Sequence, residues 1–285
     1  MKKVLIYTSI VVLTIIVAGV ILIEASIVHV ELPHGAVLHV LPAPQDNQTN
    51  GAIILLPGGG YGSVKIWYEG YWWFPFYYCQ GYTVAMLEYR IPNQDHQVPV
   101  IDGAEAIQLM RSCAVEWHFD KNNVGVMGFS AGGHLASALM VSDRDSIRPD
   151  FGILFYPVIS MKKGLAHYDS HYHLLGDNVS EELEDRYSNE LHVSAQTPPA
   201  YIALSSDDPE VNPQNAIRFY EVMRGMNRPV ELHVYPSGGH GWGYRLSFPH
   251  HHQMLDDLKG WLKKENKLMN KKRKNESYES NSLSR

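Results

Sequence analysis

The 285-residue chain predicts one large α/β domain, a mostly parallel central sheet with helices on both faces. Three observations carry that prediction. Short β-branched runs alternate with stretches of helical periodicity. Runs such as AIILL and VGVMGF are continuously apolar, as strands covered on both faces are. The glycine-rich motifs fall directly after strands, at the sheet edge where ligands gather in this class. Composition agrees: 45% hydrophobic and 19% charged residues is an ordinary globular balance. With the two ends set aside, about 240 residues remain, which suits a single domain.

The elements follow in chain order. Lys2 and Lys3 precede Val4–Ile23, an uncharged run about long enough to cross a bilayer as a helix. No clear small-residue cleavage site follows, so residues 1–26 read as an uncleaved membrane anchor in preference to a cleaved signal. The lysines would stay cytoplasmic and place the domain outside, anchored there or secreted if the segment is cut. The domain itself spans residues 27–265. Strands are expected at Ala36–Leu41, Ala52–Leu56, Thr83–Glu88, Val124–Met127, Phe151–Phe155, Tyr201–Leu204 and Val230–Tyr235. Helices are expected at Val100–Trp117, Ala131–Val141, Pro213–Arg224 and His250–Lys264. Asp102 is expected to cap the start of its helix. Residues 266–285, rich in Lys, Asn, Ser and Glu, cannot bury enough apolar surface to fold and read as a disordered, solvated tail.

Several functions are disfavoured at this stage. The net charge is −6, lysine and arginine crowd the two ends, and no basic stripe crosses the middle, which argues against a nucleic-acid partner. Cys79 and Cys113 lie far apart with no CxxC spacing, against a zinc site or disulfide framework, and read as half-buried thiols. The segment His167–Leu175 is placed as a lid. Its His167, His171 and His173 have no fixed acidic partner and are not taken as a metal site. No metal and no organic cofactor is expected, and nothing in the residues sets an oligomeric state.

The chemistry lies in three loops. Ser130 centres G-F-S-A-G between an apolar strand and a helical run, the context of a nucleophile elbow. Gly128 and Gly132 stand where a tight turn tolerates little side chain. A serine hydroxyl needs a base, and the base needs an orienting acid. Of 15 histidines, His240 lies in the glycine-rich loop after the last clear strand. The acid is sought after the preceding strand, among Asp207, Asp208 and Glu210. Asp208 is chosen because Val211 follows it by three residues, with Asp207 left to brace the loop; the reverse assignment stays open. After Ala52–Leu56, the turn Pro-Gly-Gly-Gly-Tyr-Gly lets backbone amides face a developing oxyanion, which assigns Gly59, Gly60 and the N–H of Ala131. A phosphate loop would need G-K-S/T, which is missing. Tyr61, Trp67 and Trp242 are proposed as pocket walls, with packing of the aromatic segment Trp67–Tyr78 against the sheet as the competing reading. His134 reads as a packed, hydrogen-bonded residue.

Together, LPGGGYG, GFSAGGHLA, SSDDPEV and YPSGGHGWG resemble the α/β-hydrolase superfamily, and within it the bacterial acetyl-xylan-esterase and feruloyl-esterase-like branch, near the hormone-sensitive-lipase-like esterases. The resemblance covers about residues 33 to 262. It implies a serine esterase that removes acetyl or similar groups from small-molecule or oligosaccharide esters, with Ser130, Asp208 and His240 as triad. The sequence departs at Pro57, where the H-G-G-G form has histidine. It departs again at His171, often arginine in relatives, and at Asn212, often proline. Two other readings are a serine peptidase of the prolyl-oligopeptidase type, for whose second domain the chain has no room, and an inactive membrane-associated binding module.

Overall fold

Residues 26–44 and 51–283 are described by a computed structural model. Among them, eight strands form one sheet: β1 (Val28–Glu31), β2 (Val37–Leu41), β3 (Ala52–Leu56), β4 (Thr83–Glu88), β5 (Val124–Phe129), β6 (Phe151–Phe155), β7 (Ala200–Ser205) and β8 (Val230–Tyr235). Their spatial order is β1-β2-β4-β3-β5-β6-β7-β8. From β4 onward in that order every pairing is parallel, and the antiparallel pairs β1·β2 and β2·β4 close one side. Every residue of β3, β5, β6 and β7 is buried, so both faces of the sheet centre are covered and the unbroken apolar runs have their cause. The covering helices are α1 (Phe74–Tyr78), α2 (Val98–Ser112), α3 (Ala131–Met140), α4 (Tyr168–Leu175), α5 (Glu181–Arg186), α6 (Gln214–Gly225) and α7 (His251–Leu283).

The order of strands decides where chemistry can occur. Because β3, β5, β6, β7 and β8 are parallel neighbours, the loops that follow them all emerge at one edge. That edge therefore receives the glycine turn, Ser130, Tyr156, the pair Asp207–Asp208 and His240.

Several sequence expectations need correction. β1 is a strand that periodicity misses, since its four residues are largely exposed. Asp102 caps nothing: it is the fifth residue of α2, wholly buried, and its carboxylate accepts from the backbone N–H of Arg90 at 2.9 Å and from the Arg90 guanidinium at 2.6 Å. A buried carboxylate needs such a partner. Cys79 and Cys113 are unpaired, and Cys79 is exposed. Residues from 266 onward were expected to be disordered, yet α7 continues through Leu283. Its apolar stripe ends at the buried Trp261 and Leu262, and Lys263, Lys264 and Lys267 beyond are exposed. A helix already nucleated by packing adds residues at little further cost, without burying them. The Val4–Ile23 run lies outside the described residues; among those described, no helix is long and apolar enough to cross a membrane.

His134, on α3, is the packed residue expected. Its Nδ1 accepts from the Tyr61 hydroxyl at 2.9 Å and its Nε2–H donates to the Tyr187 carbonyl at 2.7 Å. Burial pushes its imidazole down to about 4, although the Tyr187 carbonyl opposes this. The unfolded chain takes up that proton near pH 6.5 and the folded one does not. The stabilisation is therefore complete above pH 6.5 and is lost as pH falls toward 4. The displacement corresponds to about 3 kcal/mol. Urea titrations between pH 7 and 4 are expected to show wild type losing about that much more stability than His134→Gln. Parallel profiles for the two proteins would refute the assignment.

Candidate active site

Ser130 is the single residue between β5 and α3, and it sits at φ 51°, ψ −119°. A non-glycine residue there is strained by about 1–3 kcal/mol. The neighbours hold it. Ser130 N–H donates to the Phe155 carbonyl at 3.0 Å, and the Ser130 carbonyl accepts from Val158 at 3.0 Å and from Gly133 at 2.9 Å. The two flanking glycines are required sterically. A Cβ on Gly132 would lie 1.9 Å from the Leu56 carbonyl oxygen, and one on Gly128 would lie 2.2 Å from the Gly132 carbonyl oxygen. The turn is thus packed against the end of β3, next to the glycine loop.

His240 and Asp208 reach this turn from the next strands. His240 Nε2 lies 2.9 Å from Ser130 Oγ, and His240 Nδ1 lies 2.7 Å from Asp208 Oδ2. The other oxygen of Asp208 accepts the amides of Glu210 at 2.9 Å and Val211 at 3.0 Å. The side chain of Asp208 is 2% exposed and that of His240 8%, so the relay is nearly dry while the cleft still reaches the imidazole. Gly239 and Gly241 flank His240 at φ 62° and 67°, a conformation that favours glycine. Asp207 turns the other way: its two oxygens accept from the amides of Gly239 at 2.9 Å and Gly238 at 3.2 Å. It braces the histidine loop and does not touch the imidazole.

The glycine loop presents backbone donors beside the serine. Gly59 and Gly60 sit at φ 128° and 62°, and no acceptor among the described residues takes their amides. Ala131 opens α3, so its N–H has no carbonyl of the helix to meet. The lid helix α4 reaches this loop through His173, whose Nδ1–H donates to the Gly60 carbonyl at 3.0 Å. The other two lid histidines have separate partners. His167 caps α4 through Ser170, and His171 pairs with Glu184 at 3.2 Å.

Two residues were not singled out by the sequence. Glu69, 2% exposed, accepts from the Gly58 amide at 2.8 Å and from the Tyr156 hydroxyl at 2.8 Å. Tyr156, at φ 37° after β6, accepts from the Gly243 amide at 2.8 Å and sets its ring edge-on to His240, centroids 4.8 Å apart.

The cleft over Ser130 holds about 390 Å³ and includes Lys65, Tyr68, His167, Asp169, Glu210 and Arg245 in its walls. The three proposed aromatic walls are not among them. Tyr61 is 1% exposed in the core, where its hydroxyl bonds His134. Trp242 is buried, stacked on Phe248 at 4.2 Å, with its indole N–H donating to Ser205. Trp67 is 58% exposed, outside the cleft. A larger cavity of about 630 Å³, between α2 and the 186–194 segment, contains no member of the Ser–His–Asp relay.

The geometry is that of an acyl-transfer site, and comparison with known proteins names the lineage. Residues 39–223 match the BD-FAE family. The chain belongs to the BD-FAE family. An acetylxylan esterase from Xylanibacter ruminicola is 39% identical over 224 residues, 76% of this chain and 46% of that protein. Endo-1,4-beta-xylanase B from Butyrivibrio fibrisolvens is 31% identical over 213 residues, 69% of this chain and 33% of that protein. The chain thus spans about half or less of these curated relatives. Among solved structures, an acetyl ester-xyloside bifunctional hydrolase from Caldicellulosiruptor lactoaceticus superposes with a TM-score of 0.72 at 32% identity, covering 80% of this chain and 88% of that one. This BD-FAE chain has the α/β-hydrolase fold.

Proposed function

We propose that the protein is a serine esterase that hydrolyses short-chain, acetyl-type esters of carbohydrates through an acyl-enzyme. The observation that carries this reading is the continuous relay from Asp208 through His240 to Ser130, with unclaimed backbone amides beside it. His240 Nε2 takes the Ser130 proton as Oγ attacks the ester carbonyl. The carbonyl oxygen becomes an oxyanion facing the amides of Gly59, Gly60 and Ala131, each such donor supplying roughly 3 kcal/mol in the transition state. Asp208 holds the productive tautomer and steadies the imidazolium. His240 then gives its proton to the leaving alkoxide, and the alcohol departs. Water, deprotonated by the same nitrogen, attacks the acyl carbon, and the carboxylic acid leaves as Ser130 regains its proton.

The cleft supports the substrate class. Its walls are mostly polar or charged, with Tyr68 the aromatic contributor among the described residues. Such a surface suits a hydroxyl-rich alcohol better than a long acyl chain or a feruloyl ring. The match to an acetylxylan esterase supports the same choice. Lys2, Lys3 and the Val4–Ile23 run support a domain held at the outer membrane face, or released if the run is cut.

A panel of acetyl, butyryl and feruloyl esters, acetylated xylo-oligosaccharides and a peptide amide tests the reading. Acetyl esters are expected to exceed butyryl and feruloyl esters by about tenfold or more in kcat/KM, with the amide inert. Preference for the amide would transfer the protein to the peptidases.

A further inference from the structure

We propose that Glu69 is a positioning residue: its buried carboxylate locks the oxyanion loop to the histidine loop. The inference rests on the esterase reading of the site and adds a component to it.

The geometry places Glu69 between the two halves of the machinery. One oxygen takes the Gly58 amide and the other takes the Tyr156 hydroxyl, each at 2.8 Å. Gly58 immediately precedes the oxyanion glycines, and its own peptide is held on the other side, where the Tyr89 hydroxyl donates to the Pro57 carbonyl at 2.7 Å. A Cβ built on Gly58 would lie 2.9 Å from Ser130 Cβ and 3.0 Å from Glu69 Oε2. Carboxylate and nucleophile therefore flank the same glycine. Through Tyr156 the link continues to the Gly243 amide at 2.8 Å, three residues past His240. A second tie runs beside it, from the Tyr244 amide to the Tyr68 carbonyl at 2.8 Å. Both oxygens of Glu69 thus face donors, an arrangement that suits the acceptor-only ionised carboxylate.

Burial pushes the Glu69 carboxyl up from the ordinary glutamate range, while the Tyr156 hydroxyl, the Gly58 amide, His240 and Arg245 pull it back. Facing Glu69 are the phenols of Tyr68, Tyr89 and Tyr156, with His240 and Arg245. Facing His240 are Asp208, Glu69 and Tyr156, and His167 from the start of α4. Lys65 shares the cleft. Glu69 and Asp208 are the two carboxylates of this set closed off from solvent: Asp208 bonds the imidazole itself, and Glu69 bonds the loops on either side of it.

The test uses 4-nitrophenyl acetate, steady-state kinetics that separate kcat from KM, and thermal melting on full-length wild type, Glu69→Gln and Tyr156→Phe. Glu69→Gln keeps the shape and removes the charge. It is expected to lower kcat about 10- to 100-fold with KM within about threefold. Tyr156→Phe leaves the carboxylate in place. It is expected to lower kcat about tenfold with KM within about threefold, and it carries the test if Glu69→Gln does not fold. Kcat within threefold of wild type in either variant overturns the proposal. So does a lower Tm in Glu69→Gln with kcat unchanged, which is what a purely structural residue gives. Wild type that neither turns over the ester nor is labelled at Ser130 by a fluorophosphonate overturns the esterase reading together with this proposal, whereas active wild type with an unaffected Glu69→Gln overturns this proposal alone.

Discussion

Ser130→Ala is expected to lower kcat/KM on an acetyl ester by about 10⁴-fold or more while leaving Tm nearly unchanged. A factor of 10⁴ is about 5.5 kcal/mol of transition-state stabilisation. The loss is expected to be large because, in the proposed mechanism, the hydroxyl is the group that becomes bonded to the acyl carbon. His240, Asp208 and the loop amides all act through that bond. What remains is direct attack of water on an ester held by the oxyanion donors. The fold survives because alanine keeps the Cβ that already occupies the strained position at φ 51°, and the backbone bonds of residue 130 to Phe155 and Val158 involve no side chain. Steady-state kinetics, a melting curve and fluorophosphonate labelling read the outcome. A variant that retains even a tenth of wild-type activity would show that another group forms the acyl bond.

How much of this site the sequence displayed depends on the range of each signal. The serine turn is legible because its demands are local: Gly132 is excluded from having a side chain by the Leu56 and Pro57 carbonyls, and that exclusion leaves a glycine at a fixed offset from the serine. His240 is legible for a similar reason, since Gly239 and Gly241 adopt left-handed backbone on either side of it. Glu69 carries no such mark. Its meaning comes from Tyr156, 87 positions away, and in the sequence it looks like one polar residue in an aromatic helix-forming stretch. Tyr61 and Trp242 failed as pocket walls because ring type does not say which side of a loop is wet. Both found hydrogen-bond partners inside, His134 and Ser205, and a satisfied polar tip removes the penalty for full burial. The final helix shows the converse limit. Composition from residue 266 onward implies a solvated segment, and Lys267 and Leu268 are exposed while Asn266 and Met269 are half-buried, but exposure does not prevent a helix that packing has already started.

The second large effect separates two adjacent carboxylates. Asp208→Asn is expected to lower kcat about 10⁴-fold near neutral pH, and Asp207→Asn about tenfold or less. The side chains differ by one position and nothing in size, so the contrast isolates role. In Asp208→Asn the amide can turn its NH₂ toward His240 Nδ1, which lies 2.7 Å from the present carboxylate oxygen. That nitrogen must then accept, the proton moves to Nε2, and the nitrogen 2.9 Å from Ser130 Oγ has no lone pair for the serine proton. The imidazolium formed during attack also loses its buried counter-charge. Asp207 meets a different demand. The Gly239 amide, and behind it the Gly238 amide, hold its carboxyl below the usual range, and an asparagine oxygen still accepts from one of them. The loop keeps its course, and His240 shifts only as far as the lost bond allows. Kinetics of the two variants on the same ester, with KM compared, decide the matter. Equal losses would mean that both carboxylates act through the loop, and the assignment of Asp208 as the orienting acid would fall.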